Sequence, residues 1–498
     1  MEKPMNIVVI MNDTWRYDHV GAHGNDWIHT PVLDQFAEES TVFERQYCGS
    51  FATIPIRHDI WKGRFGNPIH DWGPLDWESL TLPEVLRKSG YVTMLIHDTP
   101  HLINYGYGFD RPFHAWDMIR GNEVDRMRTD HFKEWKLDGF DKFRSAEMMA
   151  LYHRQTKDWQ LEEDCWAPQV MDATCKWLER NSDHEKFFLW VDSFDPHEPW
   201  DPPQHYVDLY DKDYDGLSVF WPRYDRTENF LTPREQEHVA NLFAAECTMC
   251  DRHIGRVLDT IDRQGLRDNT IVIIMSDHGH YLGDHGLQSK SGPLYEEVSR
   301  QIMMVRHPDG IGAGKRVQAL VQPADIAPSL LELSQVATPK DMDIQGRSWA
   351  SLLKKDNTNF RTAAVSATYP TYSPTTGFIK DEDSNTSRWS DQGWTSMTVT
   401  GQRYTLMDFP ERDRWLLFDR KTDPAMENNI VKDLPEEAEI LHAELIKFLQ
   451  ANKAPQWMVQ LWSDGPEGIT APEPSEFWKN VRKRGKPHAN PLWGNIKG

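Results

Sequence analysis

Residues 6–13 read Asn-Ile-Val-Val-Ile-Met-Asn-Asp, and residues 271–278 read Ile-Val-Ile-Ile-Met-Ser-Asp-His. Both are continuous β-rich apolar runs without the alternation of a half-exposed strand. That pattern predicts strands buried on both faces, as in a parallel sheet. Each run stops abruptly at polar residues. Two further runs follow the same rule: 91–96 ends in His97-Asp98, and 187–191 ends in Asp192 and leads to Asp195 and His197. Open α/β sheets place their sites at the carboxyl ends of the strands, so these polar residues are expected to gather at one sheet edge.

Between the runs lie helical patterns. The clearest spans 233–262, with Val239, Leu242, Phe243, Ile254, Val257, Leu258 and Ile261 at helical spacing. Thr232, Pro233 and Glu235 supply a capping box with proline at the first helical position. The alternation predicts an α/β domain over 1–365, built on a large mixed, mostly parallel sheet sandwiched by helices. Beyond it the texture changes. Residues 395–400, 403–408 and 414–418 read as short antiparallel strands. A helix over 435–450, capped by Asp433 and Glu436, carries Leu441, Leu445 and Leu449 on one face. These make a small C-terminal α+β subdomain over 366–453. Residues 454–498 mix Pro and Gly with Trp457, Trp462, Trp478 and Trp493. They predict an irregular arm packed on this chain or on a second copy, and so a route to a homo-oligomer.

Composition excludes several functions. The 498 residues hold 55 Lys+Arg against 77 Asp+Glu, a net charge of −22. A field of that sign repels polyanions, which argues against nucleic-acid or anionic-membrane partners. The basic stretch 479–486 reads as a solvated face or subunit contact. An anionic substrate would need local cations or a metal. Five cysteines are odd in number and too few for a disulfide scaffold. Cys247 and Cys250 share a face of the 233–262 helix and read as buried packing residues. Trp200 and Trp221 suit either a pocket wall or core packing. No run approaches a membrane span, and the start of the chain lacks the features of a signal peptide, so a cytoplasmic location is expected.

Asp13, Asp277 and His278 combine carboxylates and an imidazole at strand ends, a donor set for one divalent ion such as Mn, Ca, Mg or Zn. The segment Thr53-Ile54-Pro55-Ile56-Arg57 places a hydroxyl at the positive end of a helix beside a guanidinium. Such a hydroxyl can attack an anionic ester next to a metal; Thr before Pro is equally an ordinary helix entry.

With these motifs in order, the chain resembles the sulfatase branch of the alkaline phosphatase superfamily. Residues 6–24 look like the family's opening strand with its metal-binding Asp. Residues 47–64 look like its nucleophile region, and 195–199 (Asp-Pro-His-Glu-Pro) like its Pro-His-x-Pro loop. Residues 276–279, 282–286 and Lys290 look like its second metal segment and downstream Lys. The resemblance implies that Asp13, Thr53, Asp277 and His278 bind the metal and that Thr53 and Arg57 form the nucleophile centre. It also implies that His197 and Lys290 bind the ester and assist the leaving oxygen, with His280, Asp284 and His285 as supporting neighbours.

Three departures matter. Sulfatases of this family carry Cys or Ser at the nucleophile position, oxidised to formylglycine. Here stands Thr53, whose oxidation would give a ketone. Thr14 stands where many members have a second metal-binding Asp, which implies a single-metal site. Asp98 occupies the place of a substrate-binding Lys; it reads either as a loop cap or as a contact to a hydroxyl or amine of the substrate. Phosphodiesterases of the superfamily use Thr directly, and the phosphonate monoester hydrolases share the Asp-x-Trp-Arg opening of Asp13–Arg16. The expectation is a metal-dependent hydrolase of small-molecule or sugar esters, acting on phosphate diesters or phosphonate monoesters through Thr53. The alternatives are sulfate ester hydrolysis without formylglycine and a catalytically silent binding protein.

Overall fold

The computed structural model describes residues 5–66, 72–130, 138–290, 293–368 and 395–469, together with the backbone of four short strands between 372 and 394. The strand Asn6–Asn12 is buried at every position. It pairs in parallel with Phe187–Ser193 on one side and Thr270–Ser276 on the other. They form the middle of an eight-stranded sheet. From edge to edge it runs Lys315–Val317, Thr41–Phe43, Met303–Arg306, Thr270–Ser276, Asn6–Asn12, Phe187–Ser193, Val92–His97 and Ala115–Met118. Met303–Arg306 is antiparallel to both its neighbours, and the other pairings are parallel. The register sets the site: Asn12 lies opposite both Ser193 and Ser276, so Asp13 and Asp277 leave adjacent strands at one height.

The apolar runs lack alternation because helices cover both faces. Val8, Ile10, Leu189, Val191, Val272 and Ile274 pack toward the helices Trp166–Asn181 and Pro233–Arg263. Ile7, Val9, Phe188, Trp190, Ile271 and Ile273 pack toward Thr53–Lys62, Leu82–Lys88 and Ile326–Leu333. The long helix starts as its capping box requires: Glu235 N donates to Thr232 Oγ1 at 3.2 Å and Thr232 N to the Glu235 carboxylate at 2.8 Å. Cys247 and Cys250 are buried free thiols within it.

The C-terminal unit is a four-stranded antiparallel sheet, Ala364–Ala367, Met397–Thr400, Tyr404–Asp408 and Leu416–Asp419, covered by the helix Pro435–Ala451. Two details differ from expectation. That helix is entered through Leu434 and Pro435 without a side-chain cap, because proline alone presets the first turn. The segment after 454 begins as a helix, Gln456–Asp464, because Met458, Leu461 and Trp462 fall on one face and are buried in the C-terminal core. The remainder of the predicted arm, with Trp478, Trp493 and the basic stretch 479–486, lies outside the described residues. Ala367 N donates to Gly49 O and Phe51 N to Ala367 O, each at 2.9 Å, so the C-terminal sheet braces the loop that leads to Thr53. Among the described residues no helix is long and apolar enough to cross a membrane.

Candidate active site

At the carboxyl edge of the sheet, Asp13, Asp277 and His278 meet with no exposure to solvent. His278 Nδ1 lies 2.9 Å from Gly279 O; a carbonyl only accepts, so this nitrogen carries the hydrogen. Nε2 therefore presents its lone pair, 3.8 Å from Asp13 Oδ1 and 3.7 Å from Asp277 Oδ2. Among the described residues His278 Nε2 has no hydrogen-bond partner, and Asp13 Oδ2 has only the Arg57 ion pair at 3.2 Å without an aligned hydrogen bond. Orphaned acceptors at this depth are costly unless a cation takes them. Two carboxylates and an imidazole lone pair aimed at one point fit a divalent ion. Electrostatics agree. Burial and the charge of Asp13 push the Asp277 carboxyl well up, against the offset of Arg57 and the Thr14 N–H. Burial opposes ionisation of Asp13 as well, but Arg57 and Lys290 hold it well below the usual carboxylate range.

Arg57 organises the floor. Its Nη1 donates to Asp277 Oδ2 at 2.6 Å and to Thr53 O at 2.8 Å, and its Nη2 lies 3.2 Å from Asp13 Oδ2. The remaining edge forms a two-point pair with Asp192, Nη2–Oδ1 at 2.6 Å and Nε–Oδ2 at 3.1 Å. Asp192 also accepts from Trp190 Nε1 and Thr99 Oγ1, each at 3.0 Å. Three buried carboxylates thus face one guanidinium, which leaves room for two further positive charges.

Thr53 opens the helix Thr53–Lys62 and is nearly buried. Arg57, one turn on, ties its carbonyl to the Asp13 and Asp277 carboxylates. The preceding Phe51 ring packs on His278 with centroids 4.9 Å apart. Other hydroxyl and thiol groups nearby are committed: Ser50 Oγ donates to Asp59 Oδ1 at 2.7 Å, and burial pushes the Cys48 thiol up to about 12.

Lys290 Nζ donates to Thr14 Oγ1 at 3.2 Å and stands 4.0 Å from Asp13 Oδ1. Thr14, with φ of 65°, links both carboxylates of the cluster through its N–H to Asp277 Oδ1 at 2.9 Å and its hydroxyl to Asp13 Oδ1 at 2.7 Å. His197 is buried and stacks on Phe194 at 3.9 Å, with Nδ1 donating to Glu198 O at 2.6 Å. Burial, then Lys290, hold this imidazole well below its ordinary value, so it is neutral.

Asp98 stands apart from these groups. Its Oδ1 accepts from Phe194 N at 2.7 Å and its Oδ2 from Asn122 Nδ2 at 2.9 Å, contacts that tie the 194–198 loop to the next strand end. Asp284 fixes Arg16, which donates to His280 O at 3.1 Å. His285 stacks on Tyr295. Trp200 and Trp221 are core residues with no solvent exposure. Sequence reasoning missed two participants. Asp192 gave a signal, as the polar residue ending its strand, but its partner Arg57 is 135 positions away. The linking role of Thr14 gave none.

Comparison with known proteins defines the class as an ester hydrolase, and the candidate cluster stands at the carboxyl edge of its mostly parallel sheet. The family model "Sulfatase" matches residues 5–336, and "N-sulphoglucosamine sulphohydrolase, C-terminal" matches 283–454. The chain belongs to the sulfatase family, within the alkaline phosphatase superfamily. It is 26% identical over 390 residues to an arylsulfatase of Clostridium perfringens, covering 72% of this chain and 80% of that one. A solved structure described as a complex with its substrate D-glucosamine-2-N,6-O-disulfate is similar with a TM-score of 0.69 and 21% identity, over 91% of this chain and 99% of that one. The phosphonate monoester hydrolase of Agrobacterium radiobacter is similar with a TM-score of 0.67 and 17% identity, over 90% and 95%.

Proposed function

We propose that this protein hydrolyses phosphate diesters or phosphonate monoesters with Thr53 as the direct nucleophile and one divalent ion held by Asp13, Asp277, His278 and Thr53. The observation that carries the reading is the identity of the group at the helix start. Thr53 sits where formylglycine would be needed for sulfate transfer, and the neighbouring Ser50 and Cys48 are tied or buried. A Thr-sulfate ester lacks the hemiacetal route by which formylglycine releases sulfate, whereas a Thr-phosphoryl or Thr-phosphonyl ester is open to attack by water.

The metal, when bound, would supply positive charge to the attacking and non-bridging oxygens. The chain supplies the rest. Arg57 fixes the Thr53 backbone and the carboxylates in one arrangement, so the nucleophile needs no reorganisation as it attacks. Lys290 points its ammonium at the mouth of the metal site and neutralises charge on the ester oxygens. His197 is neutral and offers Nε2 to the reacting groups. A divalent ion would balance the three carboxylates and Arg57, and Lys290 adds a positive charge beside Asp13 for the oxygens of an anionic ester.

Sulfate ester hydrolysis is the second reading, favoured by the family itself. Turnover of an aryl phosphodiester, phosphonate, phosphate monoester and sulfate by Mn-loaded protein, with Thr53→Ala alongside, separates the readings. Preferred diester or phosphonate turnover that collapses in the variant supports the first; dominant sulfate turnover supports the second. Binding of metal with no turnover of any ester would favour a silent binding protein.

A further inference from the structure

We infer that Glu198 is a positioning residue for His197, holding its imidazole in the one tautomer that presents Nε2 to the reacting ester. The inference rests on the reading above. The backbone oxygen of Glu198 accepts from His197 Nδ1 at 2.6 Å, and Glu198 Oε2 lies 3.3 Å from the same nitrogen. One residue therefore meets the Nδ1 edge twice, with its backbone oxygen as the hydrogen-bond acceptor and its carboxylate as a charge close by. A neutral imidazole bound in this way has its hydrogen on Nδ1 and its lone pair on Nε2.

The carboxylate is itself held. Its Oε1 accepts from the Tyr224 hydroxyl, and Oε2 has no hydrogen-bond partner among the described residues although the side chain has no solvent exposure. Oε2 is also 3.5 Å from His280 Nε2. Burial pushes this carboxyl up, against the positive charge of Lys290 and Arg144, and Arg144 covers the Tyr224 ring at 3.7 Å. A buried carboxylate beside a ring nitrogen stabilises that ring when it gains a proton, as in carboxylate–histidine pairs generally. In the first half-reaction the Thr53 Oγ–P bond forms and the P–O bond to the alcohol breaks. The proton given up by the Thr53 hydroxyl is carried on His197 Nε2 and ends on the departing oxygen. Glu198 never touches substrate; it makes the protonated ring less costly.

The test is the dependence of kcat on leaving-group pKa for a series of aryl and alkyl esters, in wild type, Glu198→Gln and Tyr224→Phe. In Glu198→Gln the loss of kcat on alkyl esters is expected to exceed the loss on esters of acidic phenols by at least tenfold, with KM little changed. Tyr224→Phe moves the same way by less. An equal loss across the whole series, or a change confined to KM, would overturn the inference. Thermal unfolding and bound-metal content are measured on each variant; if Glu198→Gln fails to fold, Tyr224→Phe decides by the same slope. Absence of Thr53-dependent turnover in wild type would instead overturn the parent reading, so the two failures are distinct.

Discussion

Arg57 and Asp192 form a two-point ion pair, 2.6 and 3.1 Å, with no solvent exposure on either side chain. The pair joins the helix Thr53–Lys62 to the central sheet and holds Arg57 at the right angle to reach Asp13 and Asp277. Removing one member of a buried pair leaves donors without acceptors. Asp192→Ala strands two Arg57 groups, Trp190 and Thr99, and is expected to cost about 3–5 kcal/mol. A clear fall in the denaturant midpoint, together with loss of turnover, checks this. A midpoint within error of wild type would contradict it.

Metal removal should weaken the fold as well as the activity. The cluster of Asp13, Asp277 and His278 lies at the junction of two central strands, and a ligand that binds only the folded state stabilises it by mass action, about 4 kcal/mol at a thousandfold excess over Kd. Chelation is expected to lower the melting temperature, and one equivalent of Mn, Zn, Ca or Mg should restore it. Asp277→Asn should abolish that response, as followed by metal analysis and thermal scans.

Acid should charge two buried histidines. Burial lowers His23 and His97 from 6.5 to about 4. His23 Nδ1 donates to Tyr17 O at 2.8 Å and His97 Nδ1 to Thr99 O at 3.1 Å, and each Nε2 is buried without a partner among the described residues. In the window between the two values the unfolded chain binds these protons and the folded chain does not, so each imidazole contributes stability that rises with pH from about 4 to 6.5. Burial pushes Asp59, Asp195 and Asp251 up to about 7, and these carboxyls act in the opposite direction over the same window. Comparison with a variant isolates the histidine part: His97→Gln should lose less stability on acidification than wild type, read from urea midpoints across that window. Identical pH profiles would contradict the assignment.

Lys290 stands 4.0 Å from Asp13 and places a positive charge beside the cluster. Lys290→Ala is expected to lower kcat/KM by about 10²–10³, the usual cost of one charge-stabilising donor. Steady-state kinetics on a phosphonate monoester would measure it, and a loss below threefold would remove Lys290 from the proposed machinery.

The sequence made the fold legible because its central strands are buried on both faces and therefore unmixed in polarity. Asp13, Asp277 and His278 were legible for a related reason: each follows a strand with no intervening loop, so the register alone brings them together. Asp192 shared that placement, yet its partner lies on a helix 135 residues earlier in the chain, and no local pattern encodes such a pair. Asp98 followed the same rule of placement, but its two oxygens tie the 194–198 loop, which depends on the positions of Phe194 N and Asn122. The helix Gln456–Asp464 was hidden by flanking Pro and Gly, although Met458, Leu461 and Trp462 carried the spacing that buries it.

The measurement that tests the central claim most directly is peptide mass spectrometry of protein quenched during turnover of an aryl phosphonate monoester. The account predicts a phosphonyl adduct on Thr53, formed at a rate competent for turnover, absent in Thr53→Ala, and accompanied by a loss of kcat on the order of a thousandfold or more in that variant. Full turnover by Thr53→Ala with no adduct on residue 53 would contradict it.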